Sequence, residues 1–258
     1  MTIINKMAAK AAFGVSLLLG LSAGSAMAGT VTTTSVSLPN GSTTVNIIDT
    51  AQAVDGGGSN IITGTIGLQT TASGALNTYC VDLFDYINLG NNSYTFNNNQ
   101  LAAGQTFRNG NVNGTWTQNQ VSLVTALLTN GAMQTQNTIN TAALQIAIWE
   151  VEYDTKLANG SYSLTSTADG FYFSATSDAN SQATLNMAQT YLNNVTSGAW
   201  VTDAYHVAMY LTSNPSGTQN LVYLQTVGGG STVPEPSTVA VFGLGLIGLW
   251  AARRRFAA

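Results

Sequence analysis

Each end of this chain carries a short apolar segment, and together the two segments restrict any folded domain to the residues between them. At the N-terminus, Lys6 and Lys10 precede the apolar run "AAFGVSLLLGLSAG", and the small residues "AMA" follow at 26–28. A basic start, a short apolar run and small residues at a cleavage position are the parts of a secretory signal peptide. We therefore predict that residues 1–28 are removed on export and that the mature protein starts at Gly29.

The C-terminus combines three features in order. "VPEPS" (233–237) is followed by the apolar run "TVAVFGLGLIGLWAA" and then by Arg253, Arg254 and Arg255. Arginines at one end of an apolar helix favour the cytoplasmic side of a membrane. The run has about 15 residues, fewer than the ~20 that span a bilayer comfortably. We therefore predict a hydrophobic helix that serves as a temporary anchor.

This tail resembles the PEP-CTERM sorting signal of Gram-negative bacteria. The resemblance rests on Pro234, Glu235 and Pro236, on the hydrophobic helix and on the terminal arginines, and it assigns residues 231–258 to a linker plus sorting signal. It implies transient anchoring in the inner membrane, processing by an exosortase, and a final place at the cell surface or outside the cell. It also makes exopolysaccharide a candidate partner. An ordinary single-span tail anchor is the alternative.

The remaining domain, residues 29–230, is long enough for one substantial domain or two small ones. It contains ten acidic residues and only two basic residues, Arg108 and Lys156, so its net charge is −8. Nucleic acids and anionic lipids bind clustered Lys and Arg side chains. The composition therefore argues against both as partners.

Alternating β-branched sequences predict strands in the first part of the domain. "TVTTTSVSL" and "STTVNIIDTA" flank Asn40-Gly41, a dipeptide typical of hairpin turns, so we predict a hairpin here. "ALNTYCVDLFDYINL" predicts a further strand, with Cys80 and Asp82 on the face opposite to Tyr79. "YHVAMYLT" and "QNLVYLQTV" predict two strands near the end of the domain.

Apolar residues at helical spacing replace this alternation in the middle of the domain. "TQNQVSLVTALLTNG" ends on a helix stop signal, and "TINTAALQIAIWEVEYD" follows with Asn140 or Thr141 as a candidate N-cap. "SDANSQATLNMAQTYLNNV" predicts a third helix. The predicted fold class is α+β: a β-sandwich or barrel-like domain with a helical insert between Cys80 and Gln145, followed by further strands and by the C-terminal hydrophobic sorting helix.

Cys80 is the only cysteine in the chain, so an intrachain disulfide is excluded. Gln145 lies four residues before Trp149 on the second predicted helix, beside an apolar stripe that includes Leu144 and Ile148. The amide of a glutamine held near the core must find partners. Where a cysteine lies beside it, the thiolate can attack the side-chain carbonyl, expel ammonia and leave a Cys–Gln thioester.

The two segments resemble the motifs of the thioester domains of bacterial surface adhesins. "Tyr79-Cys80-Val81" matches the cysteine motif, an aromatic residue or leucine, then cysteine, then an apolar residue. "LQIAIW" (144–149) matches the glutamine motif, apolar–Gln–x–x–apolar–apolar. The resemblance covers roughly residues 77–154. The family is known mainly from Gram-positive organisms with a sortase signal, whereas this chain has the PEP-CTERM-like tail.

The resemblance implies an activated acyl group stored between Cys80 and Gln145. An amine or hydroxyl group on a surface or polymer would attack it once, so the protein would be a single-use crosslinker and not an enzyme. Formation of the bond requires a thiolate, and hence a lowered Cys80 pKa or a nearby base. Asp82 is a candidate for orienting the site or accepting a proton. By analogy, Tyr79 and Trp149 are candidates for shielding the bond.

Other chemistries find less support in the sequence. A Cys–His protease would need His206, which we expect to pack near Tyr205 and Tyr210, to meet Cys80. With a single histidine and a single cysteine, transition-metal ligands are lacking. The acidic group Glu150, Glu152 and Asp154 is expected to form a solvated helix end. A non-covalent structural or carbohydrate-binding matrix protein with an inert buried cysteine remains the alternative function.

Overall fold

The computed structural model describes residues 29–227, except residues 52, 53, 55–57, 73, 110, 111, 155–159, 169, 215 and 216. Within this part, the α+β fold predicted from the sequence is confirmed. The strands are β1 (Gly29–Ser37), β2 (Thr43–Asp49), β3 (Ile61–Thr63), β4 (Ile66–Thr70), β5 (Gly74–Cys80), β6 (Thr95–Gln100), β7 (Thr106–Asn109), β8 (Val112–Thr115), β9 (Phe171–Ala175), β10 (His206–Ser213) and β11 (Leu221–Thr226). The helices are α1 (Gln118–Gly131), α2 (Thr138–Tyr153) and α3 (Ser181–Thr196).

Six of these strands close into an antiparallel barrel in the order β1-β4-β5-β11-β10-β6. A second, three-stranded sheet has the order β3-β2-β9, and β7 pairs with β8. Closing the barrel leaves none of its strands with an open edge. The barrel therefore provides a rigid frame for the end of β5, where Cys80 lies.

The predicted hairpin between the first two strands is wrong. β1 pairs with β4 and β6 in the barrel, whereas β2 pairs with β3 and β9 in the other sheet. A turn does form, since the N–H of Gly41 donates to the Leu38 carbonyl at 3.2 Å and Gly41 has a φ of 75°. Turn residues and alternation are local signals, so they do not determine which strands pair.

The predicted helices are confirmed, with a correction at one cap. Thr117 and Gln120 form a capping box at the start of α1. The N-cap of α2 is Asn137, whose side chain accepts a hydrogen bond from the Asn140 N–H, and the helix begins at Thr138. Asn140 and Thr141 are thus inside the helix and do not cap it.

α2 is the central helix of the fold. It packs against α1 and α3 and also contacts β2, β3 and β5. Every residue from Thr141 to Glu152 is buried. A helix that is covered on all sides presents buried positions all round its axis, so polar side chains on α2 must find their partners inside the protein.

Several predictions concern residues outside this description. They are the signal peptide (1–28) and the linker with its sorting signal (231–258), including the hydrophobic helix, Pro234, Glu235, Pro236, Arg253, Arg254 and Arg255. Of the helices that are described, none has the length and apolar character needed to cross a bilayer.

Candidate functional site

Cys80 is the last residue of β5, at the point where the chain leaves the barrel. It lies opposite Leu221 of β11 and is 2% exposed. The alternating sequence predicts a strand that continues to Leu89, but residues 81–89 form no strand. Cys80 is therefore at a strand end and not within a strand.

Side-chain acceptors satisfy the backbone after Cys80. The N–H of Asp82 donates to Cys80 Sγ at 3.3 Å, and the N–H of Leu83 donates to the Tyr153 hydroxyl at 3.2 Å. The N–H of Phe84 donates to Asp82 Oδ1 at 3.1 Å. Such local acceptors compete with strand pairing, which explains why β5 ends here.

Gln145 reaches this strand end from α2 and binds the backbone of Cys80 with both of its polar atoms. The Cys80 N–H donates to Gln145 Oε1 at 2.7 Å, and Gln145 Nε2 donates to the Cys80 carbonyl at 2.7 Å. Gln145 is 1% exposed. Both polar atoms of the carboxamide thus bind Cys80, and the two predicted site residues are brought together.

The Cys80 thiol is held by the next turn of chain. Sγ donates to the Asp82 carbonyl at 3.1 Å and accepts from the Asp82 N–H. Gln219 Nε2 donates to the same carbonyl at 2.9 Å. These contacts fix the direction of the thiol close to its own backbone, which also holds the Gln145 amide.

Of the two conditions that the sequence left open, a lowered Cys80 pKa or a nearby base, the first is not met. Burial raises the pKa of the thiol well above its usual value. The Asp82 backbone N–H opposes this rise, whereas the Asp82 and Glu152 carboxyl groups add to it, and the Trp149 side chain has a smaller lowering effect. A thiol with a raised pKa keeps its proton near neutral pH, so a thiolate would form here only with a base beside it.

Two buried carboxyl groups lie near this thiol. Burial raises the pKa of Asp82 to about 7, against a hydrogen bond from Phe84 that lowers it, and Asp85 also raises it. Burial raises the pKa of Glu152 well above its usual value, and the Asp82 charge raises it further. Both groups can therefore hold a proton near neutral pH, as a general acid or base requires.

Trp149 lies one helical turn after Gln145, and both side chains line a cavity of about 370 Å³ together with Cys80. Ile62, Tyr86 and Leu89 also line the cavity and are exposed. The cavity therefore connects solvent to the Cys80–Gln145 pair through an apolar entrance.

Tyr79 faces away from this cavity. It precedes Cys80 in β5, its ring is buried, and its hydroxyl accepts from Thr65 Oγ1 at 3.2 Å. Adjacent residues of a strand point to opposite faces. A shielding role remains a prediction for both Tyr79 and Trp149, and of the two only Trp149 lines the cavity.

The predicted solvated end of α2 is wrong. Glu150, Glu152 and Asp154 are all buried, because the C-terminal turns of this helix are covered like the rest of it. Glu150 and Asp154 lie near Tyr162 and raise its pKa, after burial, to about 12. Glu152 lies on another face, near Cys80 and Asp82.

His206 takes part in a separate contact at the start of β10. Its Nδ1 atom lies 2.8 Å from an Asp203 carboxylate oxygen. Among the described residues, no group of three or more His, Cys, Asp or Glu side chains is arranged to hold a metal ion.

Sequence reasoning missed the buried state of Glu152 and the contacts of Gln219 and Tyr153. One signal for Glu152 was present, because residues seven apart on a helix lie on nearly the same face. Glu152 is seven residues after Gln145. No local pattern connects Gln219 with Asp82, since they are 137 positions apart.

Comparison with known families places a PEP-CTERM protein-sorting motif at residues 232–255. This match confirms the sorting signal predicted for this end of the chain. No curated protein matches the sequence at a significant level.

Solved structures show distant similarity. The N-terminal thioester domain of a surface protein from Clostridium perfringens is 13% identical with a TM-score of 0.40, over 63% of this chain and 89% of that one. The N-terminal domain of the Streptococcus pyogenes pilus tip adhesin Cpa is 14% identical with a TM-score of 0.39, over 74% of this chain and 100% of that one. The thioester domain of fibronectin-binding protein SfbI from Streptococcus pyogenes is 11% identical with a TM-score of 0.39, over 62% and 84%. The chain thus carries a PEP-CTERM protein-sorting motif and is similar, at low identity, to thioester domains of bacterial surface proteins.

Proposed function

We propose that this is an exported surface or extracellular-matrix protein in which Cys80 and Gln145 form an internal thioester. The thioester would attach the protein covalently to a surface or polymer that bears amine or hydroxyl groups. The observation that carries the proposal is the pair of 2.7 Å hydrogen bonds between the Gln145 carboxamide and the Cys80 backbone.

The two hydrogen bonds prepare the carboxamide for attack. The Cys80 N–H donates to Oε1, the atom that becomes negatively charged when the thiolate adds to the side-chain carbonyl carbon, Cδ. The Cys80 carbonyl accepts from Nε2, the leaving group. The S–Cδ bond forms, the Cδ–Nε2 bond breaks, and Nε2 departs as ammonia after gaining the proton that the thiol lost.

The stored acyl group is used once. An amine that enters the cavity attacks Cδ, forms an amide with the Gln145 side chain and returns the sulfur of Cys80 to a thiol. No step regenerates the thioester, so the protein is a single-use crosslinker and does not turn over. The burial of both residues limits access of water to the bond before a nucleophile arrives.

The sorting motif supports delivery to the outside of the cell. Processing by an exosortase after transient anchoring in the inner membrane of a Gram-negative bacterium would place the domain at the surface or in the matrix. There the domain can meet amine- or hydroxyl-bearing polymers, exopolysaccharide among them.

Intact-mass measurement of the purified full chain tests the thioester. We expect a mass lower by one ammonia than the sequence requires. Methylamine should add its own mass to this protein, because it forms the methylamide of Gln145, and it should restore the reactivity of Cys80 with thiol reagents. Cys80→Ala should fold and show the full mass. An unsubstituted protein with full mass and a freely alkylated Cys80 would instead favour a non-covalent structural or carbohydrate-binding matrix protein.

A further inference from the structure

The chain after Cys80 runs along α2. At the first contact with α2, Cys80 is hydrogen-bonded to Gln145. About two turns further along α2, the Tyr153 hydroxyl accepts from the Leu83 N–H at 3.2 Å and donates to the Val81 carbonyl at 3.3 Å. Gln145 and Tyr153 are eight residues apart on α2, which corresponds to about two turns or a rise of about 12 Å. The chain segment 81–83 is therefore fixed to the helix at two points about two turns apart.

Two buried carboxyl groups, one on the helix and one on the chain segment, act on the thiol from this part of the fold. Glu152 lies on the Gln145 face of α2, two turns along, because seven residues correspond to almost two full turns. Asp82 lies on the segment between the two anchoring points. Asp82 is 0% exposed and Glu152 is 3% exposed.

No hydrogen bond or positive charge among the described residues offsets the burial of the Glu152 carboxyl group. Neither of its carboxylate oxygens has a hydrogen-bond partner among the described residues. Arg108, the only lysine or arginine in the described part of the chain, forms an ion pair with Asp85. Asp85 raises and Arg108 lowers the pKa of Asp82, and the other titratable groups that interact with Glu152 or Asp82 are Cys80, Tyr153 and Tyr210.

An unpaired buried carboxylate reduces stability. The charge of Asp82 acts on Glu152, so ionisation of one group opposes ionisation of the other, and the two groups together retain at least one proton in a dry site. Such a pair can accept one further proton and return it. The thioester reaction requires a group that takes up a proton and returns it, because the proton of the thiol must reach Nε2 of Gln145.

We propose that Glu152, paired with Asp82, relays the Cys80 thiol proton to the leaving nitrogen of Gln145 during thioester formation. The inference rests on the proposed thioester. The pair first accepts the proton from Sγ, and the thiolate attacks Cδ of Gln145. The pair then donates that proton to Nε2 as the Cδ–Nε2 bond breaks. Ammonia leaves, and the pair returns to its starting protonation state.

The test measures the rate of thioester formation in the full chain. Protein obtained unfolded, with the Gln145 amide intact, is refolded by dilution into detergent-containing buffer, and the mass deficit is followed over time between about pH 5 and about pH 9. The variants are Glu152→Gln and Asp82→Asn. Glu150→Gln is the matched control, because Glu150 is equally buried on the same helix but is not among the groups that act on Cys80.

We expect Glu152→Gln to slow formation by at least about tenfold, in line with the usual size of proton-transfer catalysis, and to flatten its pH profile. Glu152→Asp should restore part of the rate and the profile. Glu152→Gln should also unfold at the same temperature as the unsubstituted protein or higher, because it removes a buried charge. Glu150→Gln should form the thioester at the original rate.

Wild-type kinetics and an unchanged pH profile in folded Glu152→Gln would overturn the relay while leaving the thioester in place. Absence of a mass deficit in the unsubstituted protein would remove the proposed function and the relay with it. If Glu152→Gln does not fold, Asp82→Asn decides the matter: an unchanged rate and profile in that variant would overturn the relay.

Discussion

The carboxamide of Gln145 binds the backbone of Cys80, not its thiol, through two hydrogen bonds of 2.7 Å. The residue that holds the glutamine in place is therefore the same residue whose sulfur would attack it in the proposed reaction. In that reaction Cys80 would have two separate roles, because its backbone would position the carbonyl and its side chain would supply the nucleophile.

Removal of the glutamine should destabilise the protein more than removal of the thiol. Gln145→Ala leaves the buried N–H and carbonyl of Cys80 without partners, which we expect to cost about 2–4 kcal/mol of unfolding free energy. Cys80→Ala keeps both backbone hydrogen bonds and should cost about 1 kcal/mol. Urea unfolding of the two variants measures which of them loses more unfolding free energy.

Gln182→Ala is the control for this comparison, since Gln182 is an exposed glutamine on α3 and should cost less than about 0.5 kcal/mol. The unsubstituted protein and the Gln182→Ala variant should both be measured after amine treatment, so that a covalent Cys80–Gln145 crosslink does not contribute to their stability. A smaller loss for Gln145→Ala than for Cys80→Ala would contradict the separation of roles.

Stability should decrease as pH rises from about 4 to about 7. The pKa of Asp82 is about 7 in the fold against an ordinary value of 3.8, so the folded state binds more protons than the unfolded state in this interval. The stabilisation is complete below the lower value and is lost as pH approaches the upper one. Its size is on the order of 2–4 kcal/mol, and the raised pKa of Glu152 acts in the same direction.

Asp82→Asn should flatten this slope, because asparagine stays neutral throughout. Urea unfolding of the Cys80→Ala background at about pH 5 and about pH 8 provides the measurement. Asp178→Asn is the control: a hydrogen bond from the Asn180 N–H lowers the pKa of Asp178, which places its titration below the interval. Equal slopes with and without Asp82 would contradict the assignment.

The helices and the Cys80–Gln145 pair were predictable, whereas the strand partners were not. Helical spacing is a local property, and the central helices extend over the predicted segments. Strand pairing depends on distant parts of the chain. Cys80, for example, lies opposite Leu221, and no local pattern relates the two. For the same reason Asn40-Gly41 predicted a turn correctly and a hairpin wrongly.

The carboxyl groups show a second limit of sequence reasoning. Three acids at the end of a helix normally face water, because burying charge is costly. Here, the end of α2 is enclosed and Glu152 is 3% exposed. Burial of this kind depends on the whole fold, and a buried acid that breaks the general expectation often has a role in chemistry.

Trp149 should protect the thioester from water. Trp149→Ala enlarges the cavity at Cys80 and Gln145, and we expect the thioester to be hydrolysed several times faster. Mass spectrometry distinguishes this outcome, because hydrolysis replaces the missing ammonia with water.

Trp116→Ala is the matched control, since Trp116 is equally buried but packs against Phe107 and Tyr210, away from the cavity. Both variants should lose about 3–5 kcal/mol of stability, and equal hydrolysis rates in the two would contradict the shielding role.

Gly131 should be required for the close approach of α1 to α2. A Cβ atom at this position would lie 2.8 Å from both Cδ atoms of Leu144, the residue before Gln145. We expect Gly131→Ala to cost about 1–3 kcal/mol through overpacking and to slow thioester formation, because Leu144 and Gln145 must shift together. In a Leu144→Ala background the clash is absent, so the same substitution should cost less than about 0.5 kcal/mol. Urea unfolding of the unsubstituted protein, the two single variants and the double variant measures this coupling. Additive losses of unfolding free energy would show that a side chain at position 131 does not contact Leu144.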